Sequence, residues 1–421
     1  MRGLVATAAP LASLVLASAL SAGLATPAVA QPVAIASWAP DLATGDPAGV
    51  RIVGGTVQLE GTGAFLAPVE DAPVPRGAAA VPTGLLTLRS QQLPAPTDQV
   101  VATVVGDVPA GSTAVVDVRG RRSNGGWTEW VPAQPDPDAL VAELPEPSSE
   151  VQGRLVLAGP PGAGPTVRSV TLTARPATRP LAAPVGEHGA LQFRVFATRE
   201  GLVGGTTANG HVITERDHFV ALPSRRGLSP RDTSDYSVKV CAPNGRCAFA
   251  PVWDVGPWNT RDDYWNPEDV RQEWTDLAQG LPQAQAAYKE DYNDGKDQSD
   301  REVLNPAGID LADGLFWDAL ELDDNAWVTV DYLWTGSERL SKVVGTPKVL
   351  AAPHAGAEVT GIVAQQAMVP VQCAVGQGTD RWLRIGTAEY LDAAAVPDLG
   401  AVTACTTGAA GAPVNTGTPA G

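Results

Sequence analysis

Short strand-like runs repeat from about residue 33 to residue 174. Alternating or β-branched segments at 99–105, 113–118, 151–157 and 167–173 are separated by Pro, Gly and Asp turns. Side chains on a strand alternate between two faces, so runs of this length bury one face and leave the other to solvent. Several of them in succession predict a β-sandwich over residues 31–174. Within it, Gly125-Gly126-Trp127-Thr128-Glu129-Trp130 places two tryptophans three apart. They form either an exposed surface for stacking on sugars or part of the sandwich core, since Trp is usually largely buried.

The N-terminal thirty residues limit where such a fold works. Arg2 is followed by an apolar run over 11–24 and by the small-residue site Ala28-Val29-Ala30, the pattern of a cleaved signal peptide over residues 1–30. No Cys follows that site, and nothing after Gln31 offers the ~20 apolar residues of a membrane-spanning helix. A secreted, extracellular protein without a transmembrane segment is expected, and a monomer. A net charge of -17 and the lack of a basic stripe exclude nucleic acid as a partner.

Four cysteines in an exported chain are expected to pair, and their spacing suggests two local bridges, Cys241 with Cys247 and Cys373 with Cys405. The first closes a loop whose Asn244-Gly245 is a hairpin turn signal. His188, His211, His218 and His354 have no ligand spacing to a Cys, so no metal and no cofactor is expected.

Residues 175–188, with prolines at 176, 180 and 184, read as a linker. A second unit covers 189–335, opening and closing on strand-like stretches at 191–198 and 327–334. A third, short-stranded unit covers 344–405, and 406–421 is a Gly, Ala, Thr and Pro tail expected to be disordered. Inside the second unit, Asn266 as N-cap, Pro267 at the first helical position, two acids in the first turn and Gly280 as a stop predict a helix over 267–279. A second short helix is expected over 283–289. Both belong to a helical insertion, residues 258–300. The segment from Asp291 to Glu302 has calcium-loop features, but its Gly295 falls one place early for an EF-hand, and a solvated turn is the expected reading.

Four motifs in the second unit carry the chemistry: Gly-Gly-Thr-Thr-Ala-Asn-Gly at 204–210, Asp-His-Phe-Val-Ala-Leu-Pro at 217–223, Val-Trp-Asp-Val-Gly-Pro at 252–257 and Gly-Ile-Asp-Leu-Ala at 308–312. In this order they resemble the signature of double-psi β-barrel proteins, the family of rare lipoprotein A, barwin, expansins and family-45 endoglucanases. The resemblance implies a six-stranded double-psi β-barrel whose groove handles cell-wall polysaccharide. It places Asp254 as the acid and Asp310 as the second carboxylate, with His218 in support and Asn209 in the glycan-side loop. His211 stands where relatives usually carry Glu, and Val255 where they carry Arg, which shifts the expectation towards binding or loosening rather than cleavage.

Residue chemistry runs parallel to the resemblance. Glycoside cleavage needs an acid for the leaving oxygen, and hydrolysis normally a second carboxylate. Asp254 lies between Trp253 and Pro257-Trp258, a setting that would raise its pKa, or it caps the Gly-Pro turn. Asp310 sits between Ile309 and Leu311, so on a strand it points away from their face, or it N-caps a helix over 311–320. His218 is equally a structural hydrogen-bonding residue. Trp253, Trp258, Tyr264 and Trp265 are candidate sugar-stacking residues, while Trp327 and Trp334 are assigned to the core.

The third unit, with Trp382-Leu383-Arg384-Ile385-Gly386 followed by Glu389-Tyr390-Leu391, resembles a bacterial SH3-type wall-binding module, an SH3-like small barrel. The Val-Arg-Gly-Arg and Gly-Gly-Trp-Thr-Glu-Trp stretches at 118–130 resemble the sandwich modules of secreted wall amidases. A mainly β, wall-associated protein is therefore expected that binds polysaccharide, peptidoglycan first, and either cleaves it as a lytic transglycosylase or glycosidase would or loosens it as expansins do. The alternative is a non-catalytic, wall-anchored structural or adhesion protein.

Overall fold

The computed structural model describes residues 34–69, 77, 79–136, 139–179, 188–378 and 380–406. The expected signal peptide, most of the linker and nearly all of the tail lie outside these residues. The described part is mainly β.

The N-terminal strands form one hydrogen-bonded network of twelve. Its spine is two long strands, Gln91–Asp107 and Ala139–Ala158. The second pairs with the first through its N-terminal half and with Thr113–Gly120 and Ala80–Thr87 through its C-terminal half. Alternate positions such as Val116, Val118, Leu155 and Leu157 close a single apolar core. The expected strand segments are present. The linker is shorter than expected, because Arg175 still ends the strand Thr166–Arg175, and the Thr178 and Arg179 amides then donate to Asp98.

Six strands then build a closed barrel: β1 Leu191–Arg199, β2 Val220–Leu222, β3 Ser237–Cys241, β4 Cys247–Val255, β5 Ala307–Leu311 and β6 Ala326–Tyr332. The order is β2-β5-β1-β6-β3-β4, and β4 pairs back onto β2. The β1–β5 and β2–β4 pairs are parallel and the other four antiparallel. Val195, Ala197, Val220, Leu222, Val238, Val240, Ile309, Leu311, Val328 and Val330 point inward and are fully buried. The intervening residues therefore face outward. Cys241 and Cys247 are register partners across the β3–β4 hairpin and are disulfide-bonded, as expected.

The segment between β4 and β5 differs from its sequence reading. The short helix is there, α1 Gln283–Glu290. The helix expected over 267–279 does not form, and turns replace it. Arg271 is drawn out of any helical path by the buried Asp262 carboxylate and by the Leu281 carbonyl, while Asp263 takes the Gln272 amide. Trp274, at φ 62°, turns in against Tyr292. Local capping signals lose here to buried ionic bonds. Nor does Asp310 cap a helix: it lies within β5, and the helical turn, of π type, begins at Gly314.

The N-terminal network is packed onto the barrel. Trp130 is fully buried within the barrel's own core cluster, its indole N–H donating to the Leu228 carbonyl at 3.0 Å. Trp127 is buried as well, beneath the Arg119 guanidinium. The two tryptophans are thus core, not a sugar platform. Around them Asp117 bridges Arg154 at 2.7 Å and Arg225 at 2.9 Å, all three buried. Burial alone would raise the Asp117 pKa, but the two guanidinium groups more than reverse this and hold it at about 2.

The third unit continues the barrel sheet. Its strand Val359–Val363 runs parallel to β4, with Gly361 opposite Cys247. A Cβ at Gly361 would lie 1.7 Å from the Cys247 carbonyl oxygen, so only glycine permits this approach. Cys373 and Cys405 form the second expected disulfide. No helix among the described residues is long and apolar enough to cross a membrane.

Candidate functional site

The outward face of β1, β2, β4 and β5 carries a row of acids. Ala221 on β2 is in register with Asp310 on β5 and with Asp254 on β4, and Asp310 is in register with Thr198 on β1. A register shift after Val252 brings Asp254, rather than Trp253, level with Ala221. Register partners share a face, so the row reads Thr198, Asp310, Ala221, Asp254 across four strands. Glu200 lies two residues beyond Thr198 on the same side, its amide extending the β1–β5 ladder by donating to the Leu311 carbonyl.

Asp310 accepts a hydrogen bond from the Thr198 hydroxyl. Burial pushes its pKa up; the Thr198 bond lowers it, the Asp254 charge raises it, and the result is about 7. Asp254 Oδ1 accepts the Ala208 amide at 2.8 Å and the Val255 amide at 2.7 Å. Its pKa is raised by burial, against the pull of Glu200 and of these two amides. The Thr-Ala-Asn-Gly loop therefore serves Asp254 through a backbone N–H.

Glu200 was not singled out by the sequence. Both of its carboxyl oxygens are shielded from solvent and meet no N–H donor. What they meet is the carboxyl group of Asp254. Burial, then the charges of Asp254 and Asp310, push Glu200 up to about 10. Two adjoining carboxyls cannot both ionise in such a place, so Glu200 keeps its proton. Strand parity puts Thr198 and Glu200 together on the outer side, since Val195 and Ala197 face inward, but parity alone does not tell Glu200 from a solvated surface charge.

The other expected site residues fare differently. His218 does not join the row: burial lowers its pKa, and the charges acting on it are Asp318 and Asp217. Asn209 is buried and holds its own loop, bonding Thr207, His211 and Ser229. Trp253 stacks on Phe219 and donates to the Thr233 carbonyl. Tyr264 and Trp265 are fully buried against Tyr332, where they close one end of the barrel. These four have no face for a sugar, because each is used in packing. Trp258 alone of the five stays partly exposed, its indole N–H on Asn305. Trp334 is core as expected, whereas Trp327 is half-buried under Arg194 and Lys289.

His211, at the position where Glu was expected from the resemblance, puts Nε2 2.7 Å from Asp217 Oδ2 and packs on Trp253. Among the described residues no cluster of three His, Cys, Asp or Glu could hold a metal ion. In the 291–302 loop the Asp297 carboxylate is taken by Arg301 and by the Ser299 amide.

Residues 191–331 match the family described as Domain of unknown function (DUF8814). The DUF8814 segment runs from the first residue of β1 to the penultimate residue of β6, and it contains Thr198, Glu200, Asp254 and Asp310. No curated protein matches the chain.

Proposed function

We propose that the chain is a secreted, wall-associated protein that binds a polysaccharide, peptidoglycan first among candidates, along the outer face of a double-psi-type barrel, and cleaves a glycosidic bond there. The row of Asp310, Ala221 and Asp254 carries this reading. Asp310, with a pKa of about 7, is protonated near neutrality and suits the acid that protonates the leaving oxygen. Asp254, which accepts the Ala208 and Val255 amides, suits the second carboxylate, taking a proton from water or from a sugar hydroxyl when it is ionised. These roles are the reverse of those implied by the family resemblance. With Ala221 between them, the two acids stand two strand spacings apart, about 10 Å at Cα. Such spacing leaves room for a water or hydroxyl between carboxyl groups. The N-terminal network and the SH3-like unit then act as wall-attaching modules.

A non-catalytic scaffold is the second reading. It draws support from the N-terminal strands that pack Leu85 and Phe65 against Ala208 and Val255, beside Asp254. Incubating the full chain and its Asp254→Asn and Asp310→Asn variants with purified peptidoglycan separates the two. Cleavage by the parent alone supports an enzyme, and wall pelleting without product from any of them supports a scaffold.

A further inference from the structure

We infer that the cleft between the N-terminal strands and the barrel is a subsite for an uncharged sugar ring, adjoining the acid row; this rests on the glycan reading above. The cleft encloses about 430 Å³, within the range of small-molecule sites. One wall is Phe65 and Leu66, from the strand Phe65–Pro68. The other is Gly256, Trp258, Gln298 and Arg301.

Three observations give it an occupant. First, it opens onto the acids: a Cβ at Gly256 would have a single neighbour within 4 Å, Asp310 Oδ2 at 3.8 Å. A chain crossing Asp310 thus continues into the cleft. Second, its walls leave apolar surface uncovered by the chain. Leu66 is 57% exposed and Trp258 partly exposed, and such surfaces pair with the C–H face of a pyranose ring. Third, the lining has little charge to spare. Among the described residues Arg301 is its one charged side chain, and two of its guanidinium nitrogens are engaged, Nε to Asp297 at 2.6 Å and Nη2 to the Trp258 carbonyl at 2.5 Å. Gln298 is likewise bonded to Thr260 at both ends of its amide. With a net charge of -17 on the chain, an anionic sugar is disfavoured here. An N-acetylhexosamine-type ring meets every condition.

The wall supplied by Phe65 and Leu66 lies outside the DUF8814 segment, so the N-terminal network contributes to the binding cleft itself. The test is calorimetric titration of the full chain carrying Asp310→Asn, to prevent turnover, with a hexamer of N-acetylglucosamine and with an oligogalacturonate. Each is repeated after Leu66→Asp, and after Val53→Asp, an exposed position on another strand of the same network. The expected result is binding of the neutral hexamer only, weakened by about tenfold or more by Leu66→Asp and unchanged by Val53→Asp. No hexamer binding, equal affinity after Leu66→Asp, or preference for the uronate overturns the inference. Cleavage by the parent chain is assayed separately. Cleavage with a silent Leu66→Asp removes the subsite and keeps the enzyme. A sensitive Leu66→Asp without any cleavage keeps the subsite and removes the enzyme.

Discussion

Asp254 and Asp310 stand on strands to either side of β2, and both are register partners of the same small residue, Ala221. No other side chain on β2 separates them, so two acids far apart in sequence share one outward face of the barrel wall. Their environments are set apart by their donors: two amides at Asp254, one hydroxyl at Asp310.

This arrangement fixes a pH profile. Asp310 must be protonated to act as the acid, so cleavage is present below a pH of about 7 and falls as the pH rises through it. Asp310→Asn is expected to lower the rate by about 100-fold or more and to abolish that alkaline limb. Initial rates of product release between pH 5 and pH 9 check both.

Stability carries the same sign. The folded pKa values of Asp310 and Glu200, about 7 and about 10, lie above the ordinary carboxyl range, so between about pH 4 and those values the folded state binds more protons than the unfolded one. Stability therefore declines as the pH rises through this window. Asp310→Asn removes part of the decline, and its melting temperature is expected to exceed that of the parent at pH 8 but not at pH 5, as scanning calorimetry would show.

Asp117 works in the opposite direction and at another place. Its folded pKa is depressed to about 2, so the stability it contributes is present above the ordinary Asp range, near 4, and is lost as the pH falls towards 2. Asp117→Asn leaves the buried Arg154 without its counter-charge and takes the Asp117 charge from Arg225. A loss of about 3–5 kcal/mol is expected, measurable by urea unfolding at pH 7, with earlier protease cutting between the N-terminal network and the barrel.

Gly361→Ala places a methyl group against the Cys247 carbonyl. The β4 pairing with Val359–Val363 should open, and the third unit become protease-sensitive while the barrel persists. Limited proteolysis with mass analysis of the fragments checks this, and unchanged resistance would show that the sheet continuity is dispensable.

How much of this was legible from sequence follows from the range of each interaction. The β3–β4 hairpin, with Asn244-Gly245 between two cysteines, is local and was readable, as was the outward placement of Asp310 between Ile309 and Leu311. Glu200 was not, because its partner Asp254 arrives through strand pairing and nothing in the local pattern separates it from a solvated surface charge. The same holds for the aromatics. Tyr264 and Trp265 suit a sugar site by type, yet their ring partners, Tyr332 and Trp334, come from the closing edge of the barrel. The false helix over 267–279 had correct capping signals, and a buried Asp262–Arg271 pair outweighed them.

The most direct measurement is mass analysis of the soluble fraction after the full chain, and separately its Asp310→Asn variant, is incubated with purified peptidoglycan at pH 6. The account predicts glycan fragments from the parent and none from Asp310→Asn, with both proteins retained on the wall pellet. Fragments released equally by both, or by neither, would contradict an acid row that cleaves glycan.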